Sequence, residues 1–334
     1  MMLLGLFLSM WISNHTAPVL CVSVLTPIIA DLGSETRFVK ALLLGVAFAC
    51  NFGGMMTPIS SMQNIIALQQ MTNADDPLSF GKWIIMATPL CVLSTVLCWL
   101  WIIVVLKPND VKSIPLVIYE DDTPIRKSAI VCFLSLVTIL LWASSSWSKQ
   151  YFGDLGIISL LFMGIIFGTG VLTEVDLNSF AWNTLFLLGG SNILGKVVES
   201  SALLEYMTSA LKHNLPHSEI WVQVELFFIV CVLATFVSHS VAAIVLVPVV
   251  AHIGKSFHAV QEFSFGGALA ISAAMALPFS SFPNVYSLLV TDDFGKPFLE
   301  TKHFVYIGGP ASIVAVLFIV LKCNAHDDRG TVEW

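Results

Sequence analysis

Charge is what this sequence has least of. Asp, Glu, Lys and Arg together make up 11% of its 334 residues, against 57% apolar residues. A soluble domain could not cover its surface with so few charges. Trp83–Leu106 carries no charged residue at all, and it exceeds the roughly 20 residues a helix needs to cross a bilayer. Val305–Leu321 is a second uncharged run. Basic residues form no stripe and are not interleaved with aromatics, which argues against nucleic acid as a partner. The seven cysteines stand apart, mostly inside apolar runs, as at Cys50, Cys91, Cys98 and Cys231. None forms a C-x-x-C pair, so neither a disulfide framework nor a zinc site is indicated. Met1–Ile12 is apolar but has no basic n-region and no small-residue cleavage site, so it does not read as a signal peptide.

What is present is a series of apolar units with polar interruptions: 1–30, broken at 13–16; 38–72, broken at 53–64; 83–106; 128–146; 156–172; 181–200; 222–253, broken at 238–240; 265–291, broken at 278–284; and 303–322. The pattern predicts an all-α polytopic membrane protein. The most polar internal connector is 107–127, and it divides the chain into a first part, 1–106, and a second part, 128–322, followed by a polar tail, 323–334. Units 1–30 and 222–253 each have two apolar limbs of about a dozen residues, which cover only about half of a 30 Å hydrocarbon core at 1.5 Å per residue. Such limbs predict re-entrant hairpins that enter and leave on one side. Non-helical backbone at membrane depth is tolerated where it is buried in protein or lines a watery cavity, so both tips are site candidates. Placing 107–127 in the cytoplasm gathers Arg37, Lys40, Lys107, Lys112, Arg126, Lys127, Lys296 and Lys302 on that side, the arrangement that the positive-inside bias favours.

The interrupted segments recur in order. Ser13-Asn14-His15-Thr16-Ala17 is followed by Pro58-Ile59-Ser60-Ser61-Met62-Gln63-Asn64. Ser238-His239-Ser240-Val241-Ala242 is followed by Pro278-Phe279-Ser280-Ser281-Phe282-Pro283-Asn284, with Met55 and Met275 aligned upstream. Five predicted spans (38–72, 83–106, 128–146, 156–172 and 181–200) lie between the hairpins, which places the second hairpin on the opposite face. Interrupted segments at matching positions of two inverted repeats point to a secondary-transporter site near the midplane.

No Asp, Glu, Lys or Arg lies in any of the four elements. Half-helix N-termini favour an anion there. Unwound carbonyls and Ser or Asn oxygens suit a hard cation such as Na⁺. A site without fixed carboxylates suits an anion whose charge is balanced by co-bound cations. Single Ser or His residues in apolar segments are ordinarily satisfied buried groups, and it is the matched second copy that raises these above that reading. His15 and His239 are candidates either for titration near neutrality or for positioning through a neutral ring. Lys196 with Glu199, and Glu225, read as interfacial charges; the cysteines, Phe and Trp read as packing residues and interface anchors.

These motifs resemble the divalent anion:sodium symporter family, with Ser-Asn-Thr at both hairpin tips and a Gly-rich Thr-Pro-x-x-x-x-x-Asn break in the following helix. Here the first break reads Gly53-Gly54-Met55-Met56-Thr57-Pro58 through Asn64. The wording Ser-Asn-His-Thr-Ala and Ser-His-Ser-Val-Ala looks closest to the fungal low-affinity phosphate transporter branch, whose members often carry an N-terminal SPX domain. The resemblance implies one sodium among Ser9, Ser13, Asn14 and the backbone near Ser60, and a second among Ser238, His239 and the backbone near Ser280. It places substrate between the tips, at Asn14, His15, Ser61, His239, Ser240 and Ser281. His239 replaces the Asn of many relatives, and Ser60 and Ser280 replace a more usual Gly or Ala, which argues against a carboxylate substrate. The family also has about four helices before the first hairpin. The chain is therefore expected to be a fragment, a truncated gene model or a shortened isoform.

The expected function is Na⁺-coupled transport of inorganic phosphate by alternating access, with Na⁺ as coupling ion and no other cofactor. The full-length form is expected to be a homodimer in the plasma membrane, with the vacuolar membrane as the alternative. A dicarboxylate or sulfate carrier and a non-transporting membrane fragment are the competing readings. An intramembrane hydrolase using Ser238 and His239 fits poorly, because adjacent residues seldom place a base on its nucleophile and no orienting acid is near. The expectation is of a carrier, not an enzyme.

Overall fold

The structure, a computed structural model, describes residues 1–29, 32, 36–71, 78–111, 125–143, 151, 155–178, 218–292 and 295–327. The span expected at 181–200 with Lys196 and Glu199, most of the 107–127 connector and the end of the tail lie outside the described residues. Thirteen α-helices are described: α1 Met2–Ile12, α2 Thr16–Ile29, α3 Arg37–Gly53, α4 Met62–Met71, α5 Phe80–Leu106, α6 Ile125–Ala143, α7 Leu155–Gly168, α8 Glu174–Asn178, α9 Glu219–Phe236, α10 His239–Lys255, α11 Val260–Ser272, α12 Phe282–Leu288 and α13 Thr301–Asp327. A 3₁₀ turn, Pro278–Ser280, lies between α11 and α12.

Among the described residues, three helices are long and apolar enough to cross a membrane: α5, α9 and Thr301–Asn324 of α13. α5 presents Ile85, Leu93, Val96, Leu100 and Val104 outward, a continuous apolar surface of the kind that lipid, not water, solvates. Ser79 caps its start, accepting the Lys82 amide, and Lys107 closes its end in the left-handed conformation at φ 46°.

The sequence expects hairpin limbs of about a dozen residues. α1 and α2 have 11 and 14, but α9 and α10 have 18 and 17. The extra turns are built from polar ends that hydropathy leaves out. Gln223 donates to Glu219 one turn earlier within α9, and His252 and Lys255 lie in the last turn of α10. Likewise α13 continues past Cys323 into the expected tail, where Asn324 donates to the Val320 carbonyl.

The core is organised around α3 and α11, which occupy matching places in the two copies. Every residue from Leu43 to Gly53 and from Phe263 to Ser272 is buried. Trp83 packs edge-on against Phe265, and Phe48 against Phe304, so aromatic rings join the halves. The helix pairings are crossed. Hairpin α1–α2 packs on α3 of its own copy and its α2 also meets α12 of the other; hairpin α9–α10 packs on its own α11, and α10 also meets α4 of the first copy. Arg37 at the start of α3, Lys107 at the end of α5 and His303 in the first turn of α13 line one cavity, so those three helix ends share a face.

Candidate functional site

Each hairpin turns on a few residues pressed against the break of its own copy. In the first, α1 ends at Ser13, whose φ of 126° lies in a region that L-residues rarely adopt. Its Oγ accepts the His15 amide, and the Asn14 amide donates to the Ser60 carbonyl at 3.1 Å. Close approach of the chains makes this possible. A Cβ on Gly53 would fall on the Leu6 carbonyl oxygen, and one on Gly54 would sit 2.8 Å from the Asn14 Cβ. These two glycines are required by space, not by backbone angle.

The break itself is stitched by side chains. Asn64 Nδ2 donates to the Gly54 and Thr57 carbonyls, both at 2.8 Å, and Ser60 Oγ lies within donating distance of the same two oxygens. The second copy repeats the device. Asn284 Nδ2 donates to Met275 and Leu277 carbonyls at 3.3 and 3.2 Å, and Ser280 Oγ donates to Leu277 at 2.8 Å. Carbonyls freed where a helix unwinds would otherwise be buried without partners, at a cost of about 1–3 kcal/mol each.

His239, at the position matching Asn14, brings its Nε2 to 2.9 Å from the Ala274 carbonyl. A carbonyl oxygen only accepts, so that contact assigns the proton to Nε2. Nδ1 is then a bare lone pair in the neutral ring, and it has no partner among the described residues. Ala274 matches Gly54, against which Asn14 packs, so each tip lies against the equivalent residue of its own break, by a hydrogen bond in the second copy and by close packing in the first.

The expected site residues fall into three groups. Asn14, Ser61, His239 and Ser281 are buried, and Asn14 Oδ1, Ser61 Oγ, His239 Nδ1 and Ser281 Oγ have no hydrogen-bond partner among the described residues. Ser9, Ser60 and Ser280 are also buried, but each already spends its hydroxyl proton, Ser9 on the Cys50 carbonyl at 2.6 Å. Ser13 and Ser240 are half-buried, whereas His15 and Ser238 are exposed. The His15 ring lies 5.2 Å from that of Phe282, which brings the first tip to the second break.

Sequence reading missed the residues that join the two breaks. Asn51 Nδ2 donates to Asn284 Oδ1 at 2.9 Å, and Gln63 Nε2 donates to Ser272 Oγ at 2.6 Å. Trp83 Nε1 donates to the Met55 carbonyl, and Ser312 Oγ accepts the Met275 amide, so α5 and α13 hold the two aligned methionines from outside. Buried amides in otherwise apolar helices were the available signal for Asn51 and Gln63.

A family described as "Citrate transporter" matches the chain at residues 1–258 and 154–324. The low-affinity phosphate transporter PHO90 and the inorganic phosphate transporter PHO87 of Saccharomyces cerevisiae are each 36% identical to it over 94% of the chain, which spans 36% and 34% of their lengths. The sodium-dependent dicarboxylate transporter SdcS of Staphylococcus saprophyticus is 22% identical over 94% of the chain and 66% of its own length. The chain thus spans little more than a third of the length of its fungal relatives. Its apolar helices, paired breaks and family match together show that this is an integral membrane chain belonging to the citrate-transporter family of carriers.

Proposed function

We propose that the protein to which this chain belongs carries inorganic phosphate across a membrane, coupled to Na⁺, by alternating access. The observation that carries this reading is the set of buried groups at the two tips and breaks that have no partner among the described residues, in motifs without a carboxylate or a lysine. Asn14 Oδ1 and the hydroxyl oxygens of Ser13 and Ser60 are the cation side of the first site, with Ser9 setting the spacing of α1 on α3. In the second, Ser238, Ser280 and the bare Nδ1 of His239 play that part. Ser61 and Ser281 hydroxyl protons, together with Asn14, His15, His239 and Ser240, face the anion. A lone pair at His239 Nδ1 suits either Na⁺ or the O–H of a monoprotonated phosphate. Cation binding at a tip would order that tip and complete the anion site, which is the coupling. The identity to two fungal phosphate transporters favours phosphate as the anion. Residues 1–106 and 128–322 are read as the two inverted repeats, joined by a cytoplasmic connector at 107–127 and followed by a tail at 323–334.

A dicarboxylate is the second reading, favoured by the match to the sodium-dependent dicarboxylate transporter. The test is uptake of radiolabelled phosphate by the full-length protein in proteoliposomes, with Na⁺ or choline outside, and with sulfate or succinate as competitor. Na⁺-dependent uptake lost in Asn14→Ala and in Ser238→Ala is expected. Uptake indifferent to both substitutions removes the site, and stronger competition by succinate than by unlabelled phosphate transfers it to the second reading.

A further inference from the structure

The second break meets a hairpin tip near each end. His239 of the second tip lies 2.9 Å from the Ala274 carbonyl, and His15 of the first tip lies 5.2 Å from Phe282, the residue after Ser281. The backbone acceptors between them are largely taken: Ala274 by His239, Met275 and Leu277 by Asn284 Nδ2. Two buried groups here have no partner among the described residues, the Nδ1 lone pair of His239 and Ser281 Oγ. They differ in kind. A hydroxyl turns about its C–O bond, so Ser281, like Ser61, can donate or accept as a ligand requires. His239 has no such freedom. Its ring proton is committed to the Ala274 carbonyl, and turning the ring over would strip that carbonyl of its donor. A second ring proton would make a buried cation, and no carboxylate lies in any of the four motifs to pair with it. Nδ1 is therefore a fixed acceptor. Asn14, at the matching position of the first tip, carries donor and acceptor on one amide.

We propose that His239 Nδ1 accepts the O–H of the anion, and so selects tetrahedral oxyanions that keep a hydrogen at neutral pH, phosphate and arsenate, over those that carry none, sulfate and monofluorophosphate. The proposal rests on the reading of the tips and breaks as an anion-transport site. A fixed lone pair repels an oxygen that bears only lone pairs and attracts one that bears a hydrogen. Of the two ligands this nitrogen suits, the O–H is favoured, because a hard alkali cation prefers oxygen to imidazole. Ser61 and Ser281 donate to the remaining oxygens of the anion. No proton changes hands: the anion keeps its hydrogen and the ring stays neutral. A site built around a substrate hydroxyl rejects the analogue that lacks it, because a buried group is then left unpaired.

The test is uptake of radiolabelled phosphate by the full-length protein in proteoliposomes with an inward Na⁺ gradient at neutral pH, against graded arsenate, sulfate, monofluorophosphate and succinate. Monofluorophosphate is the sharpest probe, a dianion with the shape of hydrogen phosphate and fluorine in place of the hydroxyl. Arsenate is expected to compete about as well as unlabelled phosphate. Monofluorophosphate and sulfate are expected to compete roughly 10- to 100-fold more weakly, the factor for leaving a buried acceptor without a donor. In His239→Asn, whose amide can turn either its oxygen or its NH₂ to the anion, that gap is expected to close while phosphate is still carried. If the melting temperature shows that this variant does not fold, the ratios in the parent decide alone. Monofluorophosphate matching arsenate in the parent, or a gap that survives in folded His239→Asn, overturns the proposal and leaves phosphate transport standing. Absence of phosphate uptake, or stronger competition by succinate than by phosphate, overturns the transport reading and this proposal with it.

Discussion

Gly308 and Gly309 are neighbours in one turn of α13, yet alanine is expected to act on them in opposite directions. A Cβ on Gly308 would fall on the Met275 carbonyl oxygen and lie 3.2 Å from the Phe48 ring edge, whereas one on Gly309 meets nothing within 4 Å. Backbone cannot give way as a flexible side chain can, and here it is held twice. The Met275 amide donates to Ser312 Oγ, and its carbonyl accepts from Asn284 Nδ2. Alanine gains about 1 kcal/mol over glycine in a helix interior, and that gain is common to both positions. Overpacking a closed contact costs about 1–3 kcal/mol. Subtracting one variant from the other removes the shared gain and leaves the contact alone. Gly308→Ala is therefore expected to be about 1–3 kcal/mol less stable than Gly309→Ala, and Gly309→Ala no less stable than the parent. Denaturation of the full-length protein in one detergent, followed by tryptophan fluorescence, measures the difference. Equal stabilities for the two variants would mean that α13 does not press on the second break, and the reasoning would fail with it.

Three other consequences are measurable in the same way. Asn284→Ala is expected to cost more than Asn51→Ala, because Asn284 serves two carbonyls as well as the Asn51 amide, and each carbonyl left buried without a donor costs about 1–3 kcal/mol; equal losses would refute the stitched break. Trp83→Phe keeps the ring against Phe265 but strips the donor from the Met55 carbonyl, so a loss of about 1–3 kcal/mol is expected, and a neutral result would show that water replaces the indole. Asp110→Ala removes the cap from α3 and is expected to cost about 0.5–2 kcal/mol, read by hydrogen exchange at Arg37 and Phe38, whose amides would otherwise stay protected.

Much of this protein is written locally. The scarcity of charge determines that α5 and α13 face lipid, because no water-facing surface can be made from such residues. The paired Ser-rich tips and Pro-x-Ser-Ser breaks are legible because a helix that unwinds in an apolar medium needs small polar residues at the point of unwinding, and that need recurs in each copy. Asn64 and Asn284 belong to those motifs, and the hydrogen bonds that their Nδ2 groups donate stay within ten residues. Even so, limb length was misjudged in α9 and α10, because hydropathy does not count polar residues that continue a helix beyond its apolar stretch.

Only the tertiary structure decided what spans the copies. Asn51 reaches Asn284 over 233 positions and Gln63 reaches Ser272 over 209, and no period or motif in a single sequence encodes such a pairing. Which group remains unpartnered at each tip and break was likewise undetermined until the neighbours were placed: Ser9 and Ser60 are engaged, while Asn14 Oδ1, Ser61 Oγ and Ser281 Oγ have no hydrogen-bond partner among the described residues. The cavity lined by Arg37, Lys40, Lys107 and His303 is the same case: the sequence assigns Arg37, Lys40 and Lys107 to one side, and only the fold sets His303 beside them. Composition and local pattern set which residues must leave water and where the helix must break. Long-range packing sets which of the buried polar groups meet, because each can satisfy only the partner that the fold brings within about 3 Å.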